Sequence, residues 1–187
     1  MSMPADGVTE RRGGGAGAWR SSLTLPAHAK VNLGLAVIAR RGDGYHEVET
    51  VMARIGLADE LTLEVVEAAR GAERVDLVTE LGPDLPAGTA LGAKGDNLAV
   101  RAAEASLAAR RAAAANAAPV EARIRLLKRI PVAAGLGGGS ADAGAVVRGL
   151  AELLPAGVDV PRVGRGLGSD VPFMVGDRRA ALAKGRG

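Results

Sequence analysis

Residues 131–142 read P-V-A-A-G-L-G-G-G-S-A-D, a glycine-rich run that ends at the start of an apolar periodic segment. Gly135, Gly137, Gly138 and Gly139 can take backbone conformations closed to other residues. Ser140 reads as a helix N-cap. After it Ala143, Val146, Val147, Leu150, Leu153 and Leu154 recur at helical spacing until Pro155. A loop of this kind aims several backbone N–H groups and the positive end of a helix dipole at one point, which makes an anion site, most often for phosphate. No lysine follows the glycines, so the segment is not a P-loop. It also fits the dinucleotide fingerprint poorly. A flexible linker is disfavoured, because Pro131 and Leu136 interrupt the low complexity and an amphipathic helix follows at once.

Two further segments carry candidate chemistry. Ala27-His28-Ala29-Lys30-Val31-Asn32-Leu33-Gly34-Leu35 opens an apolar strand on a lysine, and a half-buried ammonium needs a partner. It leads to Arg41-Gly42-Asp43-Gly44-Tyr45-His46-Glu47, a turn with one of the chain's three aromatics near its tip. Leu167-Gly168-Ser169-Asp170-Val171-Pro172-Phe173 holds a lone acid. Taken singly, Asp170 reads as a turn former or cap, Asn32 as a strand polar group, His46 as a surface turn residue and Tyr45 as a core aromatic.

The elements that must position these residues follow from periodicity. Residues 1–20 are rich in glycine, alanine and charge, without period, and read as a disordered leader. Val31, Leu33, Leu35 and Val37 alternate as in a half-buried strand, as do Leu61, Leu63 and Val65. Val75 to Thr79 is a shorter strand candidate. Asp96 or Asn97 caps an alanine-rich helix running to about Ala115, and Ala122, Ile124 and Leu126 form a strand that delivers the chain to Pro131. The stretch from Gly157 to Gly168, with Pro161, Gly164 and Gly166, reads as turn-rich, and Phe173–Val175 as the start of a strand. The expected class is α+β, a mainly antiparallel sheet with helices on one face.

Composition narrows the function. The 187 residues carry no cysteine, which excludes disulfides and thiolate metal sites. A net charge of +3, spread thinly, together with three aromatics argues against nucleic acid as a partner. No apolar run approaches the roughly 20 residues of a membrane span, and no secretory signal is visible, so a cytoplasmic location is expected.

In order and wording the three segments resemble the superfamily of galactokinase, homoserine kinase, mevalonate kinase and phosphomevalonate kinase. The Asp43-Gly44-Tyr45-His46 turn beside Ala29-Lys30-Val31-Asn32 is similar to its branch acting on a cytidine-diphosphate-linked methylerythritol. The resemblance runs from about Ala27 to Gly187. It implies a fold like that of a ribosomal RNA-binding domain, and transfer of the ATP γ-phosphate to a hydroxyl of that small-molecule substrate, with Mg²⁺. It assigns Lys30 and Asp170 as catalytic. It gives Asn97, Pro131, Val132, Ala133, Ala134, Gly135, Leu136, Gly137, Gly138, Gly139, Ser140 and Ala141 to ATP, and offers the Ser140 hydroxyl to the metal. Asn32, Tyr45 and His46 fall to the substrate, Tyr45 by stacking on its base. The resemblance divides the chain into the leader, an ATP-binding domain over residues 21–178, and residues 179–187 as the opening of a second domain, without which the chain is expected to be inactive. The alternatives are another kinase of the superfamily, which the Asp43–His46 turn disfavours, and a module that only binds nucleotide.

Overall fold

The structure, a computed structural model, describes residues 10–12, 20–40, 46–68, 71–91, 94–154 and 157–186, with positions 42 and 44. Strands β1 (Glu10–Arg12), β2 (Arg20–Arg40), β3 (His46–Glu67), β4 (Arg74–Leu81), β5 (Val120–Lys128) and β6 (Ala180–Arg186) form one sheet. Its order is β1-β2-β3-β5-β4, with β6 also on β3. All pairs are antiparallel except β4 with β5. Helices α1 (Leu98–Ala113), α2 (Gly138–Leu153), α3 (Val160–Leu167) and α4 (Val171–Val175) complete the fold. None among the described residues is long and apolar enough to cross a membrane.

The expected class holds, and its origin is the alternation along β3 and β5. Leu61, Leu63 and Val65 are buried in register with Leu126, Ile124 and Ala122, while Thr62 and Glu64 face outward. Helix α2 covers this apolar face and is buried along most of its length. Two glycines allow that close seat. A Cβ on Gly149 would stand 3.0 Å from Leu63, and one on Gly144 would stand 2.6 Å from the Met174 Cβ and 2.9 Å from its carbonyl carbon.

Several local expectations are corrected. The N-cap of α2 is Gly137, in the left-handed region at φ 70, and Ser140 is the third residue of the helix. A glycine can hold that backbone turn itself, so the helix begins before the serine. Gly157 to Gly168 is not turn-rich throughout. Asp159 caps α3 by accepting from the Arg162 N–H, and Pro161 sits in the first turn, where its missing donor costs nothing. Val163 and Leu167 then bury a helical face, and that packing overrides the poor propensity of Gly164 and Gly166. Phe173–Val175 lies in α4 rather than a strand, again with proline in the first turn.

The strand around Val31–Val37 is far longer than expected and is not half-buried at its distal end. Leu33 and Leu35 are 69% and 57% exposed, because β2 and β3 run on as an arm past the last helix. Within the expected leader, Glu10–Arg12 pairs with Arg20–Ser22, and the rest of residues 1–19 lie outside the described residues. Residues 180–186, expected to open a second domain, continue this sheet along β3.

The α2–α4 contact supplies a stability test. Gly144→Ala pushes a methyl into the backbone of α4 and is expected to destabilise by about 1–3 kcal/mol. Gly166→Ala, which meets nothing within 4 Å, is expected to be neutral or to stabilise by up to about 1 kcal/mol. Urea denaturation of both variants measures the difference, and equal stabilities would show that α4 does not rest on α2.

Candidate functional site

The chain leaves β5 at Lys128 and turns through Pro131–Gly137 into α2. Ala133, Gly135 and Gly137 all have positive φ, so the loop coils tightly before the helix. The first helical bond is made by Ala141 N–H to the Gly137 carbonyl, at 2.8 Å. The N–H groups of Gly138, Gly139 and Ser140 come before it and have no partner within the helix. They open on a cavity of about 380 Å³ lined by the loop, Asn97, Leu98, Lys128 and Asp142. Of the residues expected to contact nucleotide, Asn97 and residues 131–140 line this cavity, and Ala141 lies buried behind it. The Asn97 side chain caps α1 by accepting from the Ala99 N–H at 2.9 Å.

Lys30 and Asp170 meet beside the loop. The Lys30 N–H donates to the Leu136 carbonyl at 2.9 Å, tying β2 to the loop. The side chain then passes Gly137, where an added Cβ would stand 3.1 Å from it. Its buried ammonium donates to Asn32 Oδ1 at 2.8 Å and lies 3.3 Å from Asp170 Oδ2. The odd lysine of the apolar strand thus has two partners. Asp170 keeps part of its carboxylate exposed at the start of α4. The other end of α4 is held by two arginines. Arg54 donates to the carbonyls of Phe173, Met174 and Gly176, and Arg148 to that of Met174. Burial, with Arg54 adding repulsion, lowers the Arg148 pKa to about 10.

Beneath the loop is a group that the motif reading missed. Lys128 donates to Asp59 Oδ2 and, at 2.7 Å, to Asp142 Oδ2, with all three side chains buried. Asp59 Oδ1 accepts from the N–H groups of Arg129 and Ile130, which fixes the exit of β5. Burial works against the charge on Lys128, but Asp142 and Asp59 outweigh it and raise its pKa. For Asp142 burial wins over the lysine, and its pKa rises to about 7. The sequence held a signal for this cluster, since Asp59 and Lys128 continue the inward-facing alternation of Leu61–Val65 and Ala122–Leu126.

Other expected residues are not brought to this centre. His46 stands exposed at the end of the arm, eight residues along β3 from Arg54, the register partner of Lys30. At a strand's rise that is roughly 26 Å. Tyr45 lies outside the described residues. Among the described residues no three His, Cys, Asp or Glu side chains cluster as a metal site. A larger concavity of about 520 Å³ lies on the far side of the sheet, among Arg20, Glu64, Arg123 and Arg125. Its arginines are already engaged, Arg123 by Glu121 at 2.8 Å and Arg125 by Glu80 at 3.0 Å.

A glycine loop thus feeds a central helix over a mostly antiparallel sheet, with a lysine–aspartate pair at its side. Residues 97–174 match the family model described as GHMP kinases N terminal domain. More particularly, the chain is similar to 4-diphosphocytidyl-2-C-methyl-D-erythritol kinases. It is 42% identical to that of Salinibacter ruber over 88% of this chain and 52% of the relative. It is 44% identical to that of Geobacter metallireducens over 89% of this chain and 54% of the relative. A crystal structure of 4-(cytidine 5'-diphospho)-2C-methyl-D-erythritol kinase superposes with a TM-score of 0.68 at 42% identity, covering 87% of this chain and 52% of that one. The chain therefore spans about half the length of the relatives it matches.

Lys128→Met would leave two buried carboxyls without their cation, and the expected loss is about 3–5 kcal/mol at pH 8. The loss should be smaller at pH 5.5, where protons can replace the ammonium on Asp142. Denaturant melts at the two pH values measure this, and a pH-independent deficit would contradict it.

Proposed function

We propose that this chain is the nucleotide-binding part of a kinase that transfers the ATP γ-phosphate to the 2-hydroxyl of 4-diphosphocytidyl-2-C-methyl-D-erythritol. The observation that carries the proposal is the Lys30–Asp170 pair, 3.3 Å apart and set beside the anion loop. Relatives of that name, over 40% identical across nearly the whole chain, support the choice of substrate. The free N–H groups of Gly138, Gly139 and Ser140 hold the phosphates, aided by the dipole of α2. Asn97, Thr79 and Leu91, which line the same cavity, take the base.

Asp170 accepts the hydroxyl proton as the substrate oxygen bonds to the γ-phosphorus and the bond from that phosphorus to the bridging oxygen of ADP breaks. Lys30, hydrogen-bonded to Asn32, places positive charge where the transferring group gathers negative charge. Mg²⁺ fits a site of this kind, because it retains waters and takes phosphate oxygens with few protein ligands. The Ser140 hydroxyl, in the first turn of α2 and lining the cavity, would be a protein ligand to it. When bound it neutralises phosphate charge. The compartment proposed is the cytoplasm.

Two measurements test the proposal. Calorimetry on the 187-residue chain should show ATP binding that Gly138→Val abolishes, since a side chain there meets Ile130 at 3.1 Å and the Lys128 ammonium at 3.4 Å. Equal affinities would remove the phosphate role of the loop. In a chain of the relatives' full length, Asp170→Asn should lower kcat by about 10²–10⁴ with ATP affinity little changed. A wild-type kcat would take Asp170 out of the mechanism.

A further inference from the structure

Lys30 and Arg54 are register partners, so one rung of β2 and β3 carries two cations on the face that meets α4. Like charges directly opposite each other on a sheet repel, which costs stability unless each is answered separately. Here they are answered at opposite ends of one short helix. Lys30 faces Asp170, the N-cap of α4, at 3.3 Å. Arg54 faces the last turn, where a single guanidinium nitrogen donates to the carbonyls of Phe173 at 2.8 Å, Met174 at 2.9 Å and Gly176. The same guanidinium lies 5.3 Å from the centroid of the Phe173 ring.

The Asp170 carboxylate is not placed by its own helix. It makes no capping bond to the N–H groups of α4, and its partner is Lys30. The backbone places it instead, because the Phe173 and Met174 N–H groups donate to the Asp170 carbonyl at 3.1 and 3.2 Å. Residues 173 and 174 therefore hold Asp170 by their N–H groups and Arg54 by their carbonyls, and a shift of that turn carries Asp170 with it. Arg148 also reaches the Met174 carbonyl, but from α2. Arg54 ties α4 to the very rung that bears Lys30. In other respects Arg54 is a costly residue. Its Nε is buried with no hydrogen-bond partner among the described residues, and burial lowers its pKa, with Asp177 working the other way. A neutral side chain would avoid those costs.

We propose that Arg54 is a positioning residue of the phosphoryl transfer, fixing α4 so that the Asp170 carboxylate stays within reach of Lys30 and of the acceptor hydroxyl. The inference rests on the reading of Lys30 and Asp170 as the reacting pair. Arg54 acts through α4 and is not among the residues that line the loop cavity. The loop has its own anchors, Asp59 at one end and the Lys30 N–H at the other. Nucleotide binding and the chemical step should therefore separate when Arg54 is changed.

The first test is the energetic coupling of Lys30 and Asp170 in the 187-residue chain, from a double-mutant cycle of Lys30→Met and Asp170→Asn in denaturant melts. The cycle is run in the wild type, in Arg54→Gln and, as a control for lost stability alone, in Leu107→Val, a buried position on α1. Coupling should be present in the wild type and in Leu107→Val, and lost in Arg54→Gln. The second test is kinetic, in a chain of the relatives' full length. Arg54→Gln should lower kcat by roughly tenfold to a hundredfold, as for an ångström-scale misplacement, with KM for ATP little changed. Arg54→Lys offers three N–H groups to the three carbonyls but ends one bond short, so its kcat should fall between the two. The inference is overturned, and the pair keeps its role, if the coupling survives Arg54→Gln or is lost equally in Leu107→Val. The same follows if Asp170→Asn lowers kcat and Arg54→Gln does not. No coupling in the wild type, with an Asp170→Asn enzyme of wild-type kcat, removes the reacting pair and the inference with it. Should Arg54→Gln fail to fold, Arg54→Lys decides, and a wild-type kcat or a loss confined to KM for ATP overturns the proposal.

Discussion

Lys128 sits between Asp59 and Asp142, and through them a single buried ammonium joins β3, β5 and α2. These elements are far apart in sequence, and each contributes one charge that would be expensive to bury alone. Their meeting fixes the angle at which the chain leaves β5, because Asp59 also takes the N–H groups of Arg129 and Ile130. The loop after Ile130 can then afford unusual backbone conformations, since both of its ends are held. At its far end the Leu136 carbonyl is bonded to Lys30, and Gly137 is pressed against the Lys30 and Met174 side chains. These anchors hold the start of α2, whose first three N–H groups have no partner within the helix.

The same economy governs the lysine–aspartate pair. Lys30 comes from the inner half of β2 and Asp170 from the turn that starts α4, and no local sequence signal would join them. Their closeness depends on α4 lying against α2 at Gly144, and on Arg54 and Arg148 collecting the carbonyls at the other end of α4. Arg54 also stands over the ring of Phe173, 5.3 Å from its centroid. A five-residue helix has little stability of its own, so its position is set by these contacts.

Much of this was legible in the sequence. The alternation of Leu61–Val65 and Ala122–Leu126 gave the sheet its inner face, and the glycine run before an apolar helix gave the loop and the helix it feeds. Of the two caps read for α1, Asp96 or Asn97, the structure uses Asn97. What failed did so for physical reasons. Ser140 has the chemistry of a cap, but a glycine in the left-handed region can end a loop without a side chain. The α3 segment has poor helix formers, yet a capping aspartate and a buried face outweigh them. The Lys128 cluster was hidden because Asp59 and Lys128 stand at inward positions of strands whose other inward residues are apolar, so the pattern was credited to core packing alone. Nor could the alternation around Leu33 and Leu35 show whether anything covers that face.

The uncovered part of β2 and β3 gives the sheet two tiers of persistence. Around Leu23, Ala27, Leu61 and Leu63 the backbone bonds lie under α2, so amide protons there should exchange with solvent only when the whole domain opens. Between Asn32 and Arg40 the residues are exposed on both sides of the ribbon, and the register shifts at Asn32/Gly34 and Val37/Ala39 interrupt the ladder. Strand β6 reinforces only one edge of this stretch, along Glu47–Ala53. Amides there are poised for local opening at a small fraction of the global free energy. The boundary between slow and fast exchange should fall close to Lys30, so the ammonium beside Asp170 stands on the last well-protected turn of backbone before the sheet becomes permeable to solvent.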